Sequence, residues 1–239
     1  MPLPAILLRH TFGLKKNIAM KHRMYILLAG ISLLLSSCYK DRVTGAGSSI
    51  TETRNTATFN AVSILGSNNV YITKGNALSV EVTGYANLMP YFETNVVNKE
   101  LRLGYRSGTN VRDDNLKVYI TMPDGIDFLN VQGSGNLRVT GNFINNSSID
   151  LLVTGSGNID VEQGTAPKGH LVVAGSGNIN AYGLQIKDNN ISLNGSGNIQ
   201  TTATEKLDVT IAGSGNVYYK GAPASVSSII AGSGRLIRQ

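Results

Sequence analysis

The tetrapeptide Gly-Ser-Gly-Asn recurs through the second half of the chain, at Gly133–Asn136, Gly155–Asn158, Gly175–Asn178, Gly195–Asn198 and Gly213–Asn216, and an altered sixth copy, Gly232–Arg235, ends in arginine. The steps between first glycines are 22, 20, 20, 18 and 19 residues. A near-constant period close to twenty is the mark of a solenoid, in which each repeat builds one unit against its neighbour. An aliphatic residue stands two positions ahead of each copy (Val131, Val153, Val173, Leu193, Ile211, Ile230), and another directly follows it (Leu137, Ile159, Ile179, Ile199, Val217, Leu236). Upstream, the alternation extends through Ile149-x-Leu151-x-Val153, Ile191-x-Leu193 and Val209-x-Ile211. Period two without helical spacing predicts strands with one buried face. Twenty residues hold two or three short strands and their turns, so one repeat predicts one coil of an all-β, single-stack solenoid. Parallel pairing at ~4.8 Å per coil gives six copies a height of roughly 30 Å.

The motif chemistry suits a stacked turn. The glycine pairs Gly133/Gly135, Gly155/Gly157, Gly175/Gly177, Gly195/Gly197 and Gly213/Gly215 bracket a bend, and positive φ is expected of them because glycine reaches it without a Cβ clash. Serine and asparagine can satisfy backbone groups freed there, and Asn136, Asn158, Asn178, Asn198 and Asn216 can bond to one another as a ladder. A phosphate loop is disfavoured, since no Gly-Lys-Ser/Thr follows any copy. A calcium-binding nonapeptide roll is disfavoured by the period and by asparagine where such rolls carry aspartate. Arg235 and Arg238 in the last copy are expected to guard an open coil end against edge-to-edge pairing.

The other end of the chain carries an address. Met24–Ser37 (MYILLAGISLLLSS) is an apolar run behind Lys21-His22-Arg23, short for a membrane span and of the right length for a secretory signal. It leads into Leu35-Ser36-Ser37-Cys38, which resembles the bacterial lipoprotein box. That resemblance implies that Cys38, the single cysteine, becomes an acylated mature N-terminus held to a membrane by several acyl chains. Residues 1–37 read as the signal segment, with Met20 as the expected true start. Residues 38–55, including Gly45-Ala46-Gly47-Ser48-Ser49, read as lipidated N-terminus and tether. Five basic residues and no acid precede Cys38, so the full-chain charge of +6 falls to 16 basic against 15 acidic side chains in the mature part. A balance of +1 gives no support for nucleic-acid binding, which needs a basic face.

The remaining residues, 56–239, read as one domain of adequate size for a continuous core. Ile64–Ile72 looks like a decayed copy of the repeat frame. Strand signals follow at Leu78–Thr83, Thr94–Val97, Leu101–Tyr105 and Leu116–Met122, with one or two helical turns across Ala86–Phe92 limited by Pro90 and a turn at Asn98-Lys99. Phe59-Asn60-Ala61-Val62, Asn69-Val70-Tyr71-Ile72-Thr73-Lys74-Gly75, Leu78-Ser79-Val80-Glu81-Val82, Asn87-Leu88-Met89-Pro90-Tyr91 and Leu116-Lys117-Val118-Tyr119-Ile120-Thr121-Met122-Pro123, followed by the Gly-Ser-Gly-Asn series, resemble the putative auto-transporter adhesin, head GIN domain family. The resemblance covers roughly Thr56–Arg238. It implies a right-handed parallel β-helix-like fold with a β-rich N-terminal portion, and it brings no defined binding residues.

Catalytic and metal sites find little material here. His170 is the single histidine after Cys38 and reads as a solvated residue in a Pro167-Lys168-Gly169-His170 turn, so no catalytic residue, metal ligand or cofactor is assigned. Asp113 and Asp114 are adjacent, point to opposite faces in a strand, and read as a solvated loop rather than a catalytic pair. Asp160 and Glu162 can share a face without needing a special role. The candidate binding face is the column two residues past each motif asparagine, Arg138, Asp160, Asn180, Gln200 and Tyr218, with Tyr182, Tyr218 and Tyr219 as candidate stacking platforms; for each named residue a plain solvated wall is the favoured reading.

These features point to a non-catalytic, exported lipoprotein of the outer membrane that binds a polysaccharide or another envelope protein, with the leaflet left open. A carbohydrate-active β-helix enzyme and a periplasm-facing scaffold are the alternatives, the first resting on fold analogy alone. Cys38→Ala is expected to release the protein from membranes. Retention of that variant in the carbonate-washed membrane fraction would rule out acyl anchoring.

Overall fold

Each Gly-Ser-Gly-Asn copy occupies the gap between two strands, its first glycine closing one and its asparagine opening the next. The computed structural model describes residues 41–123 and 125–239; the signal segment, Met20 and Cys38 lie outside the described residues. Ahead of the repeats lie β1 (Asp41–Thr44), β2 (Ser49–Thr53), β3 (Ala61–Gly66), β4 (Asn69–Lys74), β5 (Ser79–Tyr85), β6 (Phe92–Val97), β7 (Glu100–Tyr105), β8 (Thr109–Arg112) and β9 (Lys117–Met122). From the repeats onward the strands are β10 (Phe128–Gly133), β11 (Asn136–Ile144), β12 (Ser148–Gly155), β13 (Asn158–Gly175), β14 (Asn178–Gly195), β15 (Asn198–Gly213), β16 (Asn216–Lys220), β17 (Ser225–Gly232) and β18 (Arg235–Arg238). Parallel pairing in register curls the sheet into a β-solenoid of about six turns.

The turn is held by a shared acceptor. The Gly133 carbonyl receives the N–H of Ser156 at 2.9 Å and of Gly157 at 3.0 Å, and the Gly155 carbonyl receives those of Ser176 at 2.8 Å and Gly177 at 3.0 Å. The same pair of bonds recurs at Gly175, Gly195 and Gly213.

The two glycines of each copy serve different needs, which corrects the expectation of positive φ at both. Only the first, Gly133, Gly155, Gly175, Gly195 or Gly213, adopts it, Gly175 at 133°. The second, Gly135, Gly157, Gly177, Gly197 or Gly215, is not among the positive-φ residues. Close approach of the neighbouring coil requires it instead. A Cβ would lie 2.6 Å from the Asn68 carbonyl oxygen at Gly135, 2.1 Å from that of Gly157 at Gly177, 1.8 Å from that of Gly177 at Gly197 and 2.0 Å from that of Gly197 at Gly215. Stacking backbone on backbone, rather than a left-handed conformation, excludes a side chain there.

Motif serines contribute backbone N–H groups while their side chains are exposed. The asparagines do form the ladder. Asn136 Nδ2 donates to Asn69 Oδ1 at 2.8 Å, Asn158 to Asn136 at 2.8 Å, Asn178 to Asn158 at 2.9 Å and Asn198 to Asn178 at 3.3 Å. At Asn216 the backbone N–H makes the contact, donating to Asn198 Oδ1 at 3.2 Å.

Register then stacks the core. Ile64, Val131, Val153, Val173, Leu193 and Ile211 form one ladder, and Val70, Leu137, Ile159, Ile179, Ile199 and Val217 face it from the other wall; all are buried. Each such side chain contributes about 1.5–3 kcal/mol by leaving water. The decayed copy belongs to the same stack, since Gly66 lies opposite Gly133 and Asn69 opposite Asn136.

At the N-terminal end the parallel order gives way to antiparallel strands, β5 on β9, β2 on β5 and β6 on β7. Asn98 and Lys99 turn the β6–β7 hairpin with φ of 52° and 62°, the two-residue loop that matches strand twist. The helical signal shortens to one 3₁₀ turn, Met89–Tyr91, with Pro90 in its first positions. Two described segments of the expected tether, Asp41–Thr44 and Ser49–Thr53, are instead strands. Ser49–Thr53 pairs with β5, with Thr51 and Thr83 hydroxyls 2.9 Å apart, and β1 pairs with β8. Ile50, Thr51 and Thr53 suit a strand, and the edge of β5 offers ladder bonds that outweigh chain entropy. Gly45 is fixed too, since a Cβ there would meet the Asp113 carbonyl at 2.3 Å.

Asp114 is likewise more than a solvated loop residue. Its carboxylate accepts from Tyr105 Oη at 2.7 Å, Asn68 Nδ2 at 2.8 Å and the Leu116 N–H at 2.9 Å, while Asp113 turns the backbone at φ 51°. Burial first, and the Asp114 carboxylate second, push the Tyr105 hydroxyl well above the usual tyrosine range. At the C-terminal end, β17 and β18 each pair on one side among the described residues. Core-facing Ile230 is consequently 42% exposed and Val226 45%. Arg235 and Arg238 lie on β18, so the expected charge guard covers one wall and leaves β17 uncharged.

Collision with the coil beneath should make Gly177→Ala destabilising by about 2 kcal/mol, lowering Tm by roughly 4–8 °C, while Ser176→Ala stays within about 0.5 kcal/mol; thermal melts of both variants decide it. In base, the unfolded chain releases the Tyr105 proton near pH ~10 while the folded protein retains it, so this contribution is full below that pH and is lost as pH rises. Tyr105→Phe should therefore show a shallower loss of stability in urea melts above about pH 10 than the parent protein.

Candidate binding faces

Leu137 and Val139 point into the core, so Arg138 between them faces outward. Register carries that position through every coil: Arg138 lies opposite Asp160, Asp160 opposite Asn180, Asn180 opposite Gln200 and Gln200 opposite Tyr218. The five residues expected from spacing thus form one unbroken outer column. The structure lengthens it at both ends, with Tyr71 and then Tyr119 beyond Arg138 and Ile237 beyond Tyr218. The Tyr71 and Tyr119 rings stack at 5.2 Å with planes 17° apart. Within the column, Asn180 Nδ2 donates to Asp160 Oδ1 at 2.7 Å. Sequence reasoning missed the two tyrosines, although Val70-Tyr71-Ile72 in the decayed copy matches the place of Leu137-Arg138-Val139.

The aromatic platforms fare unevenly. Tyr219 packs against the core and is no platform. Lys220 Nζ sits 4.4 Å from the Tyr182 ring centroid. Burial, and then the neighbouring Tyr218, raise the Tyr182 hydroxyl above its ordinary range.

A second face lies on the other wall, and it is concave. His170 is not in a turn: β13 runs unbroken through Pro167 and Gly169, with Lys168 opposite Asp188, Gly169 opposite Asn189 and His170 opposite Asn190. Ladders on both sides hold Lys168, Gly169 and His170 in strand, while Pro167 has no partner in either ladder. A groove of about 510 Å³ opens along two outer columns, Ser148, Lys168, Asp188, Lys206 and Asp150, His170, Asn190, Asp208. The first column stands seven residues before each first glycine and the second five, a fixed offset that sequence reasoning left unused.

Electrostatically the groove is mixed. Lys206 Nζ lies 2.6 Å from Asp208 Oδ2, and that hydrogen bond holds the ammonium above the usual lysine range. Between the outward-facing Asp188 and Asn190, the Asn189 side chain points inward, away from the groove. Asn189 is 2% exposed, and its Nδ2 donates to Thr201 Oγ1 at 2.8 Å, while Oδ1 has no partner. Among the described residues no group of three or more His, Cys, Asp or Glu side chains converges as metal ligands would.

Solved structures share this architecture. A putative adhesin from Bacteroides fragilis NCTC 9343 superposes with a TM-score of 0.68 at 23% identity, covering 82% of this chain and 100% of that one. A putative adhesin from Parabacteroides distasonis ATCC 8503 gives 0.55 at 24%, covering 83% and 100%. A structure from the same organism, described as a putative lipid binding protein, gives 0.52 at 24%, again covering 83% and 100%. At these identities the likeness establishes the fold. No curated protein matches the chain. The family model described as putative auto-transporter adhesin, head GIN domain, matches residues 58–223, and with the repeats, register and fold in agreement the chain belongs to that family.

Proposed function

We propose that the protein is a non-catalytic, lipid-anchored envelope component whose solenoid acts as an adhesion-type binding module. Membership of an adhesin-type family supports the class. The observation that carries the reading is the outer column from Tyr119 to Tyr218, in register across successive coils. Such a column offers a partner one outward aromatic, charged or amide side chain per coil, at ~4.8 Å intervals, on a scaffold whose turns and core are locked coil to coil. Many weak, equally spaced contacts to one polymer sum to firm attachment, because each engaged site raises the effective concentration of the next. Cys38 supplies the attachment to the outer membrane in this reading.

Protease shaving of intact cells, followed with an antibody to the solenoid and a periplasmic control protein, tests it. Loss of the protein from sealed cells is the expected result. Protection until the envelope is opened would remove adhesion and leave a periplasm-facing scaffold.

A further inference from the structure

We propose that the groove across β12, β13, β14 and β15 is a binding site for an extended, uncharged β-1,4-linked glycan chain lying parallel to the solenoid axis. This site lies on a different wall from the Tyr119–Tyr218 column and goes beyond the reading above.

Two observations converge. The first is spacing. Ser148, Lys168, Asp188 and Lys206 are stacked rungs, so the groove spans three intervals, roughly 14 Å. One coil rise is close to the rise of one pyranose in an extended β-1,4-linked chain, in which neighbouring sugars are turned over, so each rung meets one sugar and like faces recur at every second rung.

The second is chemistry. Lys168, His170 and Asn190 offer donors, and Asp150 and Asp188 offer acceptors, along both sides of the groove. A sugar hydroxyl both donates and accepts, and satisfies either. The charges do not build one sign: Lys206 is tied to Asp208, and Lys168 is flanked in register by Ser148 and Asp188. A polyanion would meet Asp150 and Asp188, and a polycation would meet Lys168. A neutral polyol meets neither penalty.

The test is titration of the full-length acylated protein in detergent with cellohexaose and chitohexaose, followed by the His170 imidazole resonances, which are assigned by their loss in His170→Gln. Maltohexaose, whose chain coils, and polygalacturonate, which is anionic, serve as comparators. Saturable shifts with an extended hexaose are expected, with affinity rising from dimer to about tetramer and then levelling, one sugar for each of the four rungs. Lys168→Ala and Asn190→Ala, both at exposed positions, should each weaken binding about tenfold, while Gln185→Ala, exposed and outside both the groove and the outer column, leaves it unchanged. Absence of saturable shifts with either extended hexaose, equal binding by the groove variants, or preference for polygalacturonate overturns the proposal. These outcomes are independent of the shaving result: a surface-exposed protein that ignores every glycan keeps the adhesion reading and loses this site.

Discussion

A single carbonyl per coil, that of the first motif glycine, accepts two N–H groups from the next coil. That bond pair fixes translation and rotation between coils at once, because the acceptor sits inside the turn rather than along a strand. It requires positive φ at one glycine and the absence of a side chain at the other, which is why the motif uses two glycines and places serine between them. With the turn fixed, strands on both walls fall into register, and the aliphatic ladders and the asparagine ladder follow. An out-of-register coil would break the bifurcated bonds, misplace the asparagine amides and turn apolar side chains outward together.

The same register arranges the exterior. An outward residue in one coil has a counterpart directly above and below it, so the surface is organised as columns rather than patches. The flat column from Tyr119 to Tyr218 and the concave pair of columns around Lys168 and His170 are two results of one rule. The N-terminal antiparallel strands close the core at one end, whereas Ile230 and Val226 on β17 mark the other as the thinner part of the hydrophobic stack.

Much of this was legible in the sequence. Period-two alternation located the repeat strands, and the twenty-residue period gave the stack and the column Arg138, Asp160, Asn180, Gln200, Tyr218. Local turn chemistry misled where pairing across coils decided the outcome. Pro167-Lys168-Gly169-His170 looks like a turn, yet β12 and β14 hold its last three residues in strand. Ser49–Thr53 looks like a linker, yet the edge of β5 recruits it. Gly135, Gly197 and Gly215 look like the first glycines of their copies, yet what forbids a side chain at them is the coil next door, which a single repeat does not display. The positions of Lys168 and Asp188 were readable as a constant offset before the glycines, but nothing in one coil shows that its neighbours make a groove. Insertions between coils fall after the asparagine strand, where the ladder shifts between Val139 and Asn142 and between Ala181 and Gln185, and so the offset measured back from the glycine survives while the one measured forward drifts.

Register that repeats from Gly66 to Gly232 also bears on how such a chain can change over time. Contacts run almost entirely between adjacent coils, so duplicating one coil-length segment adds a rung to every column and leaves the surroundings of the other rungs as they were. Reach and valency can grow together by copying, without redesign of the core, and a lost segment shortens both in proportion. The fold thus behaves as a ruler whose graduations are written in glycine.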